Sequence, residues 1–228
     1  MPLKRQQEPE LMLSVPEARE YAAIDHSAQN RELALLAAGP LGFRGGSAAD
    51  LGAGDGALAE ELCRAVPAAR VTAVELSPAM LALARRRFSA AGLSRRVSLA
   101  AADAKATGLP GGAFDLVVCS NLVHHISDPR RLFREAARLL RPGGGLLFLD
   151  LLRPAGEAAL AAQLRRCAGD TPAQRSLLEA SLRASLTLPE VRACLRGSGL
   201  RGAALSRWGG RHWLLRRGCS PVGKGFAR

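Results

Sequence analysis

Between residues 48 and 62 the chain reads AADLGAGDGALAEEL: small apolar residues run into Asp50, glycines follow at 52, 54 and 56, and an Ala/Leu/Glu pattern begins at once. Glycine at every second position weakens helix and strand alike. The run is therefore a tight turn, and its flanks make it strand, turn and helix in fifteen residues. Such a turn brings free backbone N–H groups of a helix start to the end of a buried strand, where a ligand can be cradled. What remains open is the charge of that ligand.

The rest of the chain repeats the alternation. Residues 14–38 have helical spacing, and a loop GPLGFRGG follows. Strands are predicted at SAADLG, at 71–76 (VTAVEL), 97–103 (VSLAAAD), 114–120 (FDLVVCS) and 146–152 (LLFLDLL). Helices are predicted over 57–66, from Ser77 with Pro78 in the first turn to about Ala91, and from Asp128-Pro129 to the RPGGG loop. The region 154–184 reads as helical. Thr187 and Glu190 form a capping box for one more helix, and AALSRW and HWLLRR form a terminal hairpin about Gly209-Gly210. Continuous apolar strands alternating with helices imply an α/β, Rossmann-like, doubly wound sheet of seven strands, mostly parallel, with an antiparallel edge hairpin. Residues 1–44 are expected to form an N-terminal helical lid, 45–217 the main domain, 154–186 a helical insertion that meets substrate, and 218–228 a disordered tail.

Composition narrows the class. The net charge is +12, yet it comes mostly from scattered arginines, and only nine aromatics (six Phe, two Trp, one Tyr) could stack on bases. A solvated basic surface outweighs a nucleic-acid face. The five cysteines have no C-x-x-C spacing, so neither a disulfide framework nor a metal site is expected. Without a signal-peptide pattern or a membrane-length apolar run, a cytoplasmic location is expected.

Charge separates the two ligands such a turn can hold. Gly52-x-Gly54-x-x-Ala57 with Glu75 downstream satisfies a relaxed dinucleotide fingerprint. However, Asp50 and Asp55 flank the place where a pyrophosphate would sit. A carboxylate about 4 Å from a phosphate charge costs about 4 kcal/mol at an effective dielectric near 20, or roughly a thousandfold in affinity. A ligand with a positive centre suits the turn better.

With these motifs the chain resembles the class I S-adenosylmethionine-dependent methyltransferases over residues 45–155. The resemblance rests on Asp50-x-Gly52-x-Gly54-x-Gly56, Glu75 closing the second strand, Asp103 in AADA, FDLVVCSNLVHHISDP and LLRPGGGLLFLD. The segment LVHHISDP…LLRPGGG is most similar to the small-molecule branch that includes ubiquinone- and menaquinone-type enzymes. The resemblance implies S-adenosylmethionine as cofactor and a small-molecule acceptor. In it Gly52, Ala53 and Gly54 wrap the methionine end, with Asp50 toward its ammonium. Glu75 would take both ribose hydroxyls, Asp103 and Ala104 the adenine edge, and Leu76 and Met80 the flat faces. Ser120 and Asn121 would lie beside the methionine portion, and Tyr21 would close the site. His124 and His125 are the candidate bases, and consecutive positions on a helical turn allow at most one to face the acceptor. Cys119 reads as a small strand-end residue. The absence of an N/D-P-P-Y/F signature after the fourth strand counts against DNA and protein-amide acceptors. An RNA methyltransferase and a non-catalytic binder of the same cofactor stay open as alternatives.

Overall fold

The computed structural model describes residues 3–8, 22–166 and 171–220. Within them one seven-stranded sheet, ordered β3-β2-β1-β4-β5-β7-β6, organises the chain. Its strands are β1 Gly46–Leu51, β2 Ala69–Glu75, β3 Val97–Ala101, β4 Phe114–Ser120, β5 Leu140–Leu151, β6 Ala204–Trp208 and β7 His212–Arg217. The first five pair in parallel, and β7 runs antiparallel between β5 and β6. The expected edge hairpin is present, and Gly209 turns it at φ +54°.

The helices are α1 Ser27–Ala38, α2 Ala57–Ala65, α3 Pro78–Ala90, α4 Pro129–Leu139, α5 Glu157–Arg165, α6 Pro172–Ala184 and α7 Leu188–Leu195, with a short 3-10 turn over Val123–His125. Local chemistry sets their ends. Ser77 and Asp128 accept from the first-turn N–H groups of Met80 and Arg130, and in both helices proline fills a position whose N–H has no helical partner. Thr187 and Glu190 close the predicted capping box, and Thr171 with Gln174 makes a second one.

The sheet separates two cores. Leu33, Phe43, Leu62, Phe88, Leu116 and Leu147 fill one face under α1, α2 and α3. Leu51, Val74, Phe133, Phe148 and Trp213 fill the other under α4 and α7. Strands buried on both faces need no polar alternation, which is why their sequences read as continuous apolar runs.

Three readings change. RPGGG was expected as a loop, but it lies inside β5: the β4–β5 register slips between Phe114 and Leu116, and Gly143 at φ +77° takes up the extra residues. A bulge of this kind hides a strand behind a turn-like sequence. The 154–184 region is two helices, with 167–170 outside the described residues. At the N-terminus, residues 3–8 are not helical; they lie along α6, where the Gln6 N–H donates to the Arg183 carbonyl at 3.1 Å. Tyr21, Cys167 and the tail from 221 lie outside the described residues.

Candidate active site

The chain winds outward from β1 through β2 to β3 and then returns to place β4 on the other side of β1. That reversal opens a crevice beyond the carboxyl ends of β1 and β4. The glycine turn sits there. Gly52, Gly54 and Gly56 all adopt positive φ (72°, 56° and 83°), a region that a β-carbon disfavours. The N–H groups of Gly52 and Ala53 both donate to the Val74 carbonyl at 2.9 Å, which pins the turn to β2. A Cβ at Gly52 would strike Leu122, and one at Gly56 would strike the Phe88 ring. A Cβ at Gly54 would meet nothing within 4 Å. Gly54 is thus the glycine that faces open crevice.

Glu75 closes the turn from β2. One carboxylate oxygen accepts the Gly54 N–H at 2.9 Å, and the other accepts the N–H groups of Leu76 and Ser77 at 2.9 and 2.8 Å. Three backbone donors hold the carboxylate at the strand end. Of its roughly four acceptor sites one remains, on the oxygen that takes the Gly54 N–H, and it suits a ligand hydroxyl.

Asp50 is 1% exposed, and its Oδ2 meets no hydrogen-bond donor among the described residues. Burial, then the nearby carboxylates of Glu75 and Asp55, push its pKa up to about 7. A buried acid without a partner is costly unless something compensates for it, and a cationic ligand group would do so. Asp55 plays a different part from the one expected. Arg87 from α3 pairs with it, and the same guanidinium reaches Glu60 at 3.0 Å. The repulsion toward a phosphate therefore rests on Asp50 and Glu75.

Opposite the turn, Ser120 and Asn121 end β4. Asn121 is the single non-glycine residue with positive φ (+53°) among the described residues, and its side-chain oxygen is buried and also lacks a donor there. Strain of this kind collects where the surrounding structure holds a residue for function. Gln29 donates to the Ser120 hydroxyl at 3.2 Å, and with His26 and Asn30 the start of α1 walls the crevice. Sequence reading missed these three, because helical spacing in α1 does not say which sheet edge the helix meets.

Of the expected residues, the structure gathers Asp50, Gly52, Ala53, Gly54, Ser120 and Asn121 around one crevice, with Glu75 joined to it through Gly54. Leu76 is 46% exposed beyond β2, whereas Met80 is buried in α3. Asp103 follows β3, where it accepts the Lys105 N–H at 2.8 Å and pairs with its ammonium at 3.1 Å; Ala104 beside it is buried. Cys119 is fully buried, and burial raises its thiol pKa well above the usual value.

The histidine pair lies on the 3-10 turn just after β4. His124 is 2% exposed, and its Nδ1 is 2.7 Å from Asp150 Oδ1. The other Asp150 oxygen accepts the Val123 N–H at 2.6 Å. Despite its burial, the His124 pKa is raised by Asp150, and Glu8 adds to the effect. Glu8 Oε1 lies 3.5 Å from His124 Nε2 and 3.2 Å from His125 Nδ1. Arg5 locks this arrangement by donating to the carbonyls of Ala184, His124 and Ile126, and Gln7 donates to that of His125. The segment 3–8 is thus built into the histidine turn. No spacing rule connects residues 5–8 with 124–126, so the sequence carries no sign of it.

Residues 48–144 match the family described as "Methyltransferase domain". A ubiquinone biosynthesis O-methyltransferase of Xanthomonas euvesicatoria is 34% identical over 121 residues, 53% of this chain and 49% of that protein. A demethylmenaquinone methyltransferase of Thermus thermophilus is 39% identical over 105 residues, 46% of this chain and 47% of that protein. The chain spans about half the length of these curated relatives. Among solved structures, a SAM-dependent methyltransferase from Aquifex aeolicus aligns with a TM-score of 0.66 at 17% identity, covering 90% of this chain and 98% of that one. That likeness carries the fold well beyond the residues the family matches. The glycine turn and the strand-end acids Asp50, Glu75 and Asp103 thus all lie within the 48–144 segment that is similar to methyltransferase domains.

Proposed function

We propose that the chain binds S-adenosylmethionine in the crevice beyond β1 and β4 and transfers its methyl group to a small-molecule acceptor. The observation that carries this reading is the pairing of a buried Asp50, whose Oδ2 has no donor among the described residues, with a Glu75 carboxylate held at the next strand end. One suits a cationic ammonium and the other a ribose hydroxyl, and they flank a glycine turn whose middle residue opens into the crevice. A structure of the phosphoethanolamine N-methyltransferase 2 of Haemonchus contortus, 23% identical with a TM-score of 0.61 over 78% of this chain and 38% of that one, contains S-adenosylhomocysteine and supports the same fold for such a ligand.

The bound cofactor supplies an activated methyl on a sulfonium. This chain's residues then have to hold, orient and dry the site. Asp50 would anchor the ammonium, Glu75 the ribose, and Asp103 with the Ala104 N–H the adenine, with Leu76 and Met80 beside the rings. Ser120 and Asn121 line the approach to the reacting end. His124 and His125 are the proposed acceptor-side groups: the first is fixed by Asp150, and the second is less buried and the better placed to meet an acceptor proton. The names of the curated relatives support a quinone-type ring as the acceptor class. A cytoplasmic location belongs to the same proposal; no helix among the described residues is long and apolar enough to cross a membrane.

Incubation with S-adenosylmethionine and hydroxylated or unsubstituted quinone precursors tests it. Formation of S-adenosylhomocysteine together with an acceptor that gains one CH2 is the expected result. Cofactor binding without turnover on any small molecule, but with turnover on RNA, would overturn the acceptor class.

A further inference from the structure

Glu8, His124 and His125 bring three donor atoms, Oε1, Nε2 and Nδ1, to within 4.8 Å of one another. The two contacts to Glu8, 3.5 and 3.2 Å, are longer than the 2.7 Å bond between Asp150 and His124. Charge-assisted N–H···O bonds run at about 2.7–2.9 Å. Glu8 Oε1 is buried and has no hydrogen-bond partner among the described residues, so it meets the two imidazoles at ion-pair distance without hydrogen-bond geometry. The two separations from Glu8 lie close to the edges of a coordination shell. Ligands about 2.1 Å from one cation lie roughly 3.0–3.4 Å apart in octahedral or tetrahedral geometry.

The supporting groups are also present. Asp150 accepts from His124 Nδ1 and so leaves Nε2, the nitrogen aimed at Glu8, as the donor atom. This is the carboxylate–histidine arrangement that orients metal-bound imidazoles. Ser181 hydrogen-bonds the Glu8 carboxylate. Arg5 of the same segment turns its guanidinium to main-chain carbonyls. We propose that Glu8, His124 and His125 form a binding site for a divalent transition-metal ion, with Asp150 orienting His124. Two imidazoles and one carboxylate favour zinc, iron or cobalt over magnesium or calcium. Three protein ligands leave open positions for water or an oxygen ligand. A loaded site takes both imidazoles out of proton transfer, so the base role proposed above belongs to the protein without the ion. The inference does not rest on methyl transfer, and its readout is the metal itself.

The test uses the full chain, stripped with a chelator and titrated with Co2+ by visible absorption and calorimetry. One equivalent with d–d bands is expected. Glu8→Gln and His125→Ala should each weaken binding at least tenfold, and Asp150→Asn should weaken it by about 10- to 100-fold. Glu8→Gln lies on an N-terminal segment outside the two large cores, so it keeps the fold, and its unchanged S-adenosylhomocysteine affinity would verify this. Replacing Cys194 and Cys219 with serine should leave the bands in place. Absence of stoichiometric binding, binding unaltered in Glu8→Gln and His125→Ala, or full displacement of Co2+ by an equal concentration of Mg2+ would overturn the proposal.

Discussion

Asp50 concentrates the chemistry of the crevice in one side chain. Its pKa lies near 7 in the folded chain, against 3.8 for an ordinary aspartate. The fold therefore keeps a proton that the unfolded chain releases, and stability without ligand falls as pH rises from about 4 to about 7. A tenfold change in proton affinity corresponds to about 1.4 kcal/mol. Asp50→Asn removes this cost, so the variant should melt higher than wild type at pH 7.5 in the absence of ligand. The same change removes the counter-charge for an ammonium. Wild-type affinity for S-adenosylmethionine should rise between pH 5.5 and 7.5 as Asp50 loses its proton, whereas Asp50→Asn should bind weakly and show a flat profile, as read by calorimetry. At the next strand end, Glu75→Ala should cost about 1.5–3 kcal/mol of cofactor affinity, the scale of hydrogen bonds to a charged group. Gly54→Val should abolish binding with less damage to the fold than Gly56→Val, because a Cβ at 54 enters the crevice and one at 56 enters Phe88.

Among the elements, the segment 3–8 carries the main departure from what the sequence foretold. Arg5 spends one guanidinium on three carbonyls that belong to α6 and to the histidine turn. Arg5→Ala should release that turn, with faster amide exchange over residues 122–126 and a loss of about 1–3 kcal/mol in denaturant unfolding. Legibility followed the range of the interactions. Caps are local, so Ser77, Asp128 and Thr187–Glu190 could be read directly from their neighbours. The glycine turn was equally local: a tight turn was expected there, and Gly52, Gly54 and Gly56 form it with positive φ. The β5 bulge was missed because RPGGG satisfies a turn rule while the sheet overrides it through pairing with β4. The walls that α1 and the 3–8 segment lend to the site were missed for the same reason: contacts between residues a hundred positions apart leave no periodic trace. Asp55 was visible as an acid, but its partner Arg87, 32 residues on, was not.

Across the molecule, the sheet order explains why chemistry gathers at one edge. The reversal at β1 and β4 puts Asp50, Glu75, Ser120, Asn121 and the histidine turn at neighbouring strand ends, although the sequence spreads them over 76 positions from 50 to 125. The charge of +12 has no counterpart in that constellation. S-adenosylhomocysteine affinity should therefore be insensitive to added RNA; an affinity that changes with RNA, with a steep salt slope, would favour a nucleic-acid partner. Everything proposed for the crevice depends on its glycine turn being acidic in order to receive a cation. Calorimetric titration of the wild-type chain with S-adenosylmethionine and with NAD, under one set of conditions, decides between the two charges. One equivalent of S-adenosylmethionine should bind, at least a hundredfold more tightly than NAD. Equal or tighter binding of NAD would refute the assignment.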